Sequence, residues 1–131
     1  MPFDLVDQVL EQEEDRIVTI KQVTMAEEYL ADHFPGFPIL PGVMMLEAMV
    51  QAASRLLAPD GQRLVLGEVK AMKYGAMVRP GDALRVEITS GATDSDGSTM
   101  CKGTGTVLRR DCKKTLTAVA GRFTMRRARI E

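Results

Sequence analysis

The chain has 131 residues, of which 45% are hydrophobic, and this amount suits one domain with one core spanning residues 1–131. The net charge of −1 argues against non-specific binding to nucleic acid. No run of about 18 apolar residues occurs, so we expect no membrane-spanning helix. Residues 1–65 contain 4 Lys and Arg against 11 Asp and Glu, whereas residues 66–131 contain 13 against 7. The basic second half predicts a solvated strand face or a surface for an acidic partner.

The cysteines and the single histidine indicate the compartment and limit the chemistry. The first 15 residues are acidic and lack a long apolar stretch, so they do not resemble a secretory signal. We therefore expect Cys101 and Cys112 to be reduced thiols in the cytoplasm. One histidine and two distant cysteines cannot form a zinc site without carboxylates, and we predict no metal and no cofactor.

The first predicted elements lie before residue 43. Residues 16–23 (RIVTIKQV) are rich in β-branched side chains and predict a strand. Thr24 stands three residues before Glu27, which is the spacing of a capping box, so a short helix should begin there and end at Pro35. Residues 34–42 (FPGFPILPG) contain three prolines and two glycines. They predict a stiff loop that can hold a side chain still.

A long helix is predicted for residues 43–58 (VMMLEAMVQAASRLLA), because most of these residues are good helix formers. The segment is apolar nearly all round, so we expect the helix to be buried. Residues 59–62 (PDGQ) predict the turn that ends it.

The remaining chain predicts a sheet. Four strand-like segments follow, at residues 63–74, 83–93, 98–110 and 114–127. Turns are predicted at RPGD (79–82), at DSDG (94–97) and around Asp111. One long buried helix with five or six antiparallel strands predicts an α+β fold in which a curved sheet wraps the helix. Such a sheet leaves edges uncovered, and a dimer that extends the sheet would cover them.

The stretch HFPGFPILPGVMMLEAMVQ, residues 33–51, resembles the signature of the beta-hydroxyacyl-(acyl-carrier-protein) dehydratases of fatty-acid synthesis. The resemblance rests on the His-Phe-Pro-Gly loop, the second Pro-Gly pair, and Glu-Ala-Met followed by Gln. MPFDLVDQVLE and RPGD resemble further segments of that family, whereas YGAMVRPGD lacks the family's usual Arg pair before this turn. The resemblance implies a hotdog fold and conversion of (3R)-hydroxyacyl groups on acyl carrier protein to trans-2-enoyl groups. It also implies a homodimer or a trimer of dimers.

The resemblance assigns the catalytic roles. Dehydration needs a base for the proton alpha to the thioester carbonyl, an acid for the departing hydroxide, and a stabiliser of the oxyanion. His33 suits the base, because free His titrates near pH ~6.5 and is partly neutral at pH 7. Glu47 suits the acid, since an apolar setting disfavours the charged carboxylate. The N–H of Gly42 would polarise the carbonyl and Gln51 would orient Glu47, with His33 and Glu47 supplied by different subunits.

Each role has a structural alternative. In this alternative, His33 only donates a hydrogen bond to a backbone carbonyl, Glu47 points into water, and Gly42 is an ordinary residue at the start of a helix. A Glu at position 47, where a related branch has Asp, favours dehydration without isomerisation of the double bond.

The binding residues are less well defined. The acyl chain needs an apolar tunnel, and its candidate lining residues, for which core packing is an equal alternative, are Ile39, Leu40, Met44 and Met49. The carrier protein is acidic, and candidate docking residues are Arg79, Arg126 and Arg127.

Two other functions remain open. A hotdog thioesterase is one, although such proteins lack the pairing of His-Phe-Pro-Gly with Pro-Gly-Val. A non-catalytic acyl-binding or scaffold protein is the other, although a scaffold has no need for a carboxyl group among apolar side chains.

Overall fold

A computed structural model describes residues 4–24, 40–109 and 112–128, without the side chains of residues 112 and 113. These residues form one helix, α1, and six strands. Their bounds are β1 Gln8–Gln12, β2 Arg16–Gln22, α1 Gly42–Leu57, β3 Leu64–Tyr74, β4 Ala83–Thr93, β5 Thr99–Arg109 and β6 Cys112–Arg127. The helix predicted after Thr24 and most of the Pro-rich loop lie outside the described residues.

All six strands belong to one antiparallel sheet with the order β1-β2-β4-β5-β6-β3. Strands β1 and β3 therefore form its two edges. The predicted α+β architecture is confirmed, and the helix begins and ends one residue earlier than predicted. The five predicted strands are present, whereas β1 was not predicted.

Helix α1 packs on one face of the sheet through side chains spaced three or four residues apart. Its buried residues are Met45, Ala48, Met49, Ala52, Ala53 and Leu56. Gly103 on β5 permits a close approach, because a methyl group there would collide with the Met49 side chain and would lie 2.8 Å from Cδ1 of Ile88. The missing side chain at position 103 thus brings the helix down onto the sheet.

The opposite side of α1 is not covered in the single chain. Val43 is 66% exposed, and Glu47 and Arg55 on the same helix are also exposed. The composition of the helix led us to expect burial all round. The sheet covers only one side, and hydrophobicity alone does not reveal whether a chain's own sheet or another molecule covers the other side.

Two predicted turns are confirmed. In the turn before β4, Gly81 has φ +96° and the Asp82 N–H donates to the Arg79 carbonyl at 2.9 Å. The buried Asp82 carboxylate accepts from the Arg79 N–H at 3.0 Å and from Nε of Arg109 at 3.3 Å. The turn between β4 and β5 has Gly97 at φ +87°. In the third turn, Arg109 pairs with Cys112, and the two residues between them lie outside the described residues.

Edge strand β3 is irregular. Its register against β6 shifts between Leu66 and Val69 and again between Lys70 and Lys73, which marks two bulges. Ala71, in the second bulge, has a left-handed φ of +51°. Gly121 on β6 lies against this bulge, where a methyl group would be only 2.9 Å from Cα of Met72. Glycine at position 121 therefore lets the bulged backbone lie close to β6.

Candidate active site

The amino terminus of α1 presents free backbone donors. The Pro41 carbonyl accepts hydrogen bonds from the Met44 and Met45 N–H groups at 3.0 and 3.1 Å, so the bonded helix begins there. The N–H groups of Gly42 and Val43 belong to the first turn, whose donors have no acceptor within the helix and lie at the positive end of the helix dipole. This position suits an oxygen atom that gains negative charge.

The ring of Tyr74, at the end of β3, lies over Gly42. A methyl group at position 42 would be 3.0 Å from Cε1 of this ring. Tyr74 is itself 52% exposed, so the helix amino terminus lies near the surface of the single chain. Sequence analysis did not identify Tyr74, because 32 residues separate it from Gly42 and no local pattern connects them.

Gln51 connects the helix carboxylate to the amino-terminal segment. Its Nε2 donates to Oε1 of Glu47 at 3.3 Å, and its own Oε1 accepts from the Leu5 N–H at 2.7 Å. The contact with Glu47 has the i, i+4 spacing of residues that share a helix face. Leu5 was not predicted, because the contact joins residues 46 positions apart.

Glu47 lies on the uncovered side of α1, where the apolar surroundings expected from the helix composition are incomplete. Val43, one turn earlier, is exposed, and Met44 and Val50 are half-buried. The carboxylate therefore sits in an apolar stripe that faces outward in the single chain.

The other predicted site residues divide into two groups. His33 and Ile39 lie outside the described residues. Leu40 and Met49 are buried in the hydrophobic core, and Met44 packs partly buried against it. The Leu40 N–H donates to the Val78 carbonyl at 2.7 Å, which fixes the entry into α1.

The predicted docking residues do not form one cluster. Arg79 lies in the turn before β4, and Arg126 and Arg127 lie at the end of β6. Arg126 also lines a groove of about 470 Å³ with Lys70 and Thr124, and this groove does not contain Gly42, Glu47 or Gln51.

Neither a cluster of metal ligands nor an ionised thiol occurs among the described side chains. They contain no cluster of three or more His, Cys, Asp or Glu side chains that could hold a metal ion. Cys101 is buried in the sheet, and burial raises its pKa to about 11, so its thiol stays protonated near neutral pH. Within the same ranges, no helix has the length and hydrophobicity of a membrane span.

A central helix against one face of a long antiparallel sheet defines the hotdog class of proteins. Two solved structures support this class. The dehydratase heterocomplex ApeI:P from Xenorhabdus doucetiae aligns with a TM-score of 0.66 at 20% identity, over 93% of this chain and 96% of that one. A hypothetical thioesterase with coenzyme A from Streptococcus pneumoniae aligns with a TM-score of 0.70 at 11% identity, over 92% and 84% of the two chains. At these identities the structures show the fold alone.

Sequence comparison identifies the family. Residues 9–106 match the model of a family described as ApeI-like, ApeI dehydratase. The chain belongs to this ApeI-like dehydratase family. It is 46% identical over 92 residues to the 3-hydroxyacyl-(acyl-carrier-protein) dehydratase FabZ of Solibacter usitatus, and 44% identical over 91 residues to FabZ of Thermus thermophilus. Each alignment covers 66% of this chain, but only 57% and 64% of the two relatives, respectively.

Proposed function

We propose that this protein dehydrates (3R)-hydroxyacyl groups on acyl carrier protein to trans-2-enoyl groups in cytoplasmic fatty-acid biosynthesis. The observation that supports this most is the Glu47 carboxylate, held by Gln51 on the helix that also presents the Gly42 N–H. The family match supports the same reaction, because its FabZ relatives are named for it.

The proposed chemistry needs only side chains and one backbone donor. His33 removes the proton from C2 of the acyl group, and negative charge develops on the thioester oxygen. The Gly42 N–H stabilises that oxygen. The C3–O bond then breaks as Glu47 gives its proton to the departing hydroxide, which leaves as water. Solvent returns a proton from the imidazolium to the carboxylate.

The proposed site requires a second copy of the chain. Glu47 faces outward on an apolar stripe, with Val43 66% exposed, and the free edge of β3 also exposes Val69 at 41%. We infer a homodimer in which the partner covers this stripe and supplies its His33. Covering Glu47 would favour the protonated acid that the reaction needs. A trimer of such dimers would preserve the same pairing.

Hydration of a trans-2-enoyl thioester, the reverse reaction, tests the proposal by loss of enoyl absorbance at neutral pH. We expect an equilibrium between enoyl and hydroxyacyl forms, and no turnover by His33→Ala or Glu47→Gln with the oligomer intact. A thioesterase would instead release free thiol, and a scaffold would leave the enoyl thioester unchanged. Full activity in either variant would contradict the assigned roles.

A mixture of the two inactive variants tests the shared site. In mixed dimers one site combines an intact His33 with an intact Glu47 if the residues come from different subunits. Unfolding and refolding equal amounts together should then restore about a quarter of the activity, because half the dimers are mixed and each has one working site. No recovery despite confirmed mixed dimers would place both residues in one subunit.

A further inference from the structure

Arg109, at the end of β5, attaches to the connection between β3 and β4 at two points. Its Nη2 donates to the Met77 carbonyl at 2.7 Å, and its Nε donates to the Asp82 carboxylate at 3.3 Å. We call residues 75–82 the β3–β4 connection. The Arg109 and Asp82 side chains are 32% and 12% exposed, so their contact is partly shielded from solvent. The planar guanidinium presents donors in fixed, different directions, and one side chain therefore holds both acceptors at once.

The β3–β4 connection in turn holds the start of α1. The Val78 carbonyl, one residue after Met77, accepts from the Leu40 N–H at 2.7 Å, and Val78 is fully buried. Leu40 is followed by Pro41, whose ring restricts its φ angle, here −62°, and then by Gly42. The direction of the Gly42 N–H therefore depends on where the Val78 carbonyl lies.

The β3–β4 connection changes its mode of attachment just before Val78. The Gly75 and Ala76 N–H groups donate to carbonyls of β6 at 2.8 and 2.9 Å, so the first two residues are fixed by backbone hydrogen bonds. The next residue, Met77, is attached through the Arg109 side chain. Arg109 therefore fixes the part of the connection whose Val78 carbonyl holds the start of the helix.

We propose that Arg109 is a positioning residue for dehydration, an inference that rests on the proposed function. It acts through Val78 and Leu40 on the Gly42 N–H, the proposed donor to the thioester oxygen. If either guanidinium bond is lost, the β3–β4 connection can shift, and this N–H moves away from the oxygen that gains charge. A misplacement of about 1 Å costs up to about 100-fold in rate. The effect should fall on kcat more than on KM, because this contact strengthens in the transition state.

Arg85 on β4 provides a matched control for Arg109. Its side chain is 31% exposed, against 32% for Arg109, and it also pairs with carboxylates, at 3.5 Å from Glu87 and 3.7 Å from Glu11. These two partners lie on β4 and β1, whereas the partners of Arg109 lie on the β3–β4 connection. An ion pair that only adds stability should behave alike at both positions.

The kinetic test compares Arg109→Lys with Arg85→Lys in the hydration of the crotonyl thioester of N-acetylcysteamine. Lysine keeps the charge, but its single nitrogen cannot hold both acceptors of Arg109 in the same geometry. Arg109→Lys should lower kcat about tenfold and leave KM within about twofold, whereas Arg85→Lys should change neither value more than about twofold. Urea denaturation must show both variants fully folded at the assay temperature. Equal kcat in the two variants, or a raised KM with unchanged kcat in Arg109→Lys, would overturn the proposal.

Hydrogen exchange of single amides, measured by mass spectrometry, tests the same inference without turnover. In Arg109→Lys the Leu40 N–H should exchange about tenfold faster, while the Met49 N–H in the middle of α1 keeps its rate. An unchanged rate at Leu40, or equal acceleration at Met49, would overturn the local role of Arg109.

A second variant serves if Arg109→Lys does not fold. Asp82→Asn keeps an oxygen for the Arg79 N–H but removes the charge that pairs with Arg109, so it should give the same pattern with changes of about threefold. If the unaltered protein does not hydrate the thioester, the proposed function fails. The exchange rates then still decide whether Arg109 fixes the start of the helix.

Discussion

Two substitutions of Gln51 separate its structural role from its role at the site. Gln51→Leu removes the amide group and with it the hydrogen bonds to the Leu5 N–H and to Glu47. Gln51→Glu keeps an acceptor for the Leu5 N–H, 2.7 Å away, but replaces the donor that lies 3.3 Å from Glu47. The two variants therefore share the loss of the Glu47 contact and differ at Leu5.

The expected magnitudes follow from these contacts. Leu5 is only 2% exposed, so without an acceptor its N–H is left unsatisfied in a buried segment, and Gln51→Leu should lose about 1–3 kcal/mol of unfolding free energy. In Gln51→Glu, two carboxylates about 4 Å apart in water repel by about 1 kcal/mol, so the loss should be smaller. In both variants kcat should fall, by up to about 100-fold, because Glu47 is no longer held in position.

Urea denaturation and enoyl thioester hydration measure the two effects. Unfolding should be compared at one protein concentration, because dimer formation makes stability concentration-dependent. Ser54→Ala, one turn further along α1, is the control and should change both values little. Unchanged stability in Gln51→Leu would refute the role of the Leu5 bond. Full kcat in Gln51→Glu would refute the orienting role of Gln51.

Three further predictions concern the fold. Thr19 is buried, and its Oγ1 has no hydrogen-bond partner among the described residues. Thr19→Val removes this unsatisfied hydroxyl, so it should stabilise the protein by about 1 kcal/mol and raise Tm by about 3–5 °C. A lower Tm would contradict this prediction. Gly121→Ala should lose roughly 1–3 kcal/mol in urea denaturation, because its methyl group would press on the β3 backbone. Gly91→Ala is the control, because the nearest atom to its methyl group would be 3.5 Å away, so it should lose much less unfolding free energy. Equal losses in the two variants would contradict the contact between residue 121 and the β3 backbone. Burial raises the pKa of Cys101 to about 11, whereas an unfolded thiol ionises near pH ~8.5, so the folded chain retains a proton that the unfolded chain releases. The free energy of unfolding should therefore fall as the pH rises from ~8.5 to about 11. At pH 8, a thiol reagent should label Cys101 only after unfolding, with the labelled residue identified by mass spectrometry. Rapid labelling of Cys101 in the folded chain would contradict a shielded thiol.

Local signals account for the elements that the sequence predicted well. Strand β4 has the predicted bounds, Ala83–Thr93, because the RPGD and DSDG turns flank it directly. Helix α1 was placed within one residue because Pro41 precedes it, Gly42 opens it, and PDGQ follows shortly after its end. Strand β1 was missed because QVLEQ contains only two apolar residues. It becomes a strand by pairing with β2, which no local pattern reveals.

The candidate site shows the same division. The Glu47–Gln51 contact follows from helical spacing, which a sequence displays directly. The Tyr74 ring over Gly42 depends on how distant segments pack. The alignment of Lys70 with Arg122 depends on the strand register, which the two bulges in β3 change. A sequence does not reveal these shifts in strand register. The number of basic residues in the second half was therefore known from the sequence, but their positions relative to one another on the sheet were not.

The bulges in β3 also determine what can attach to the free edge of the sheet. A straight exposed strand is a template for unlimited strand addition, the first step toward amyloid-like fibrils. The edge of β3 is interrupted after Leu66 and after Lys70, and Ala71 turns the backbone aside. An arbitrary flat strand finds no continuous ladder there. The irregular edge therefore disfavours open-ended strand addition to this chain, and only a partner whose backbone fits the bulges can pair with it.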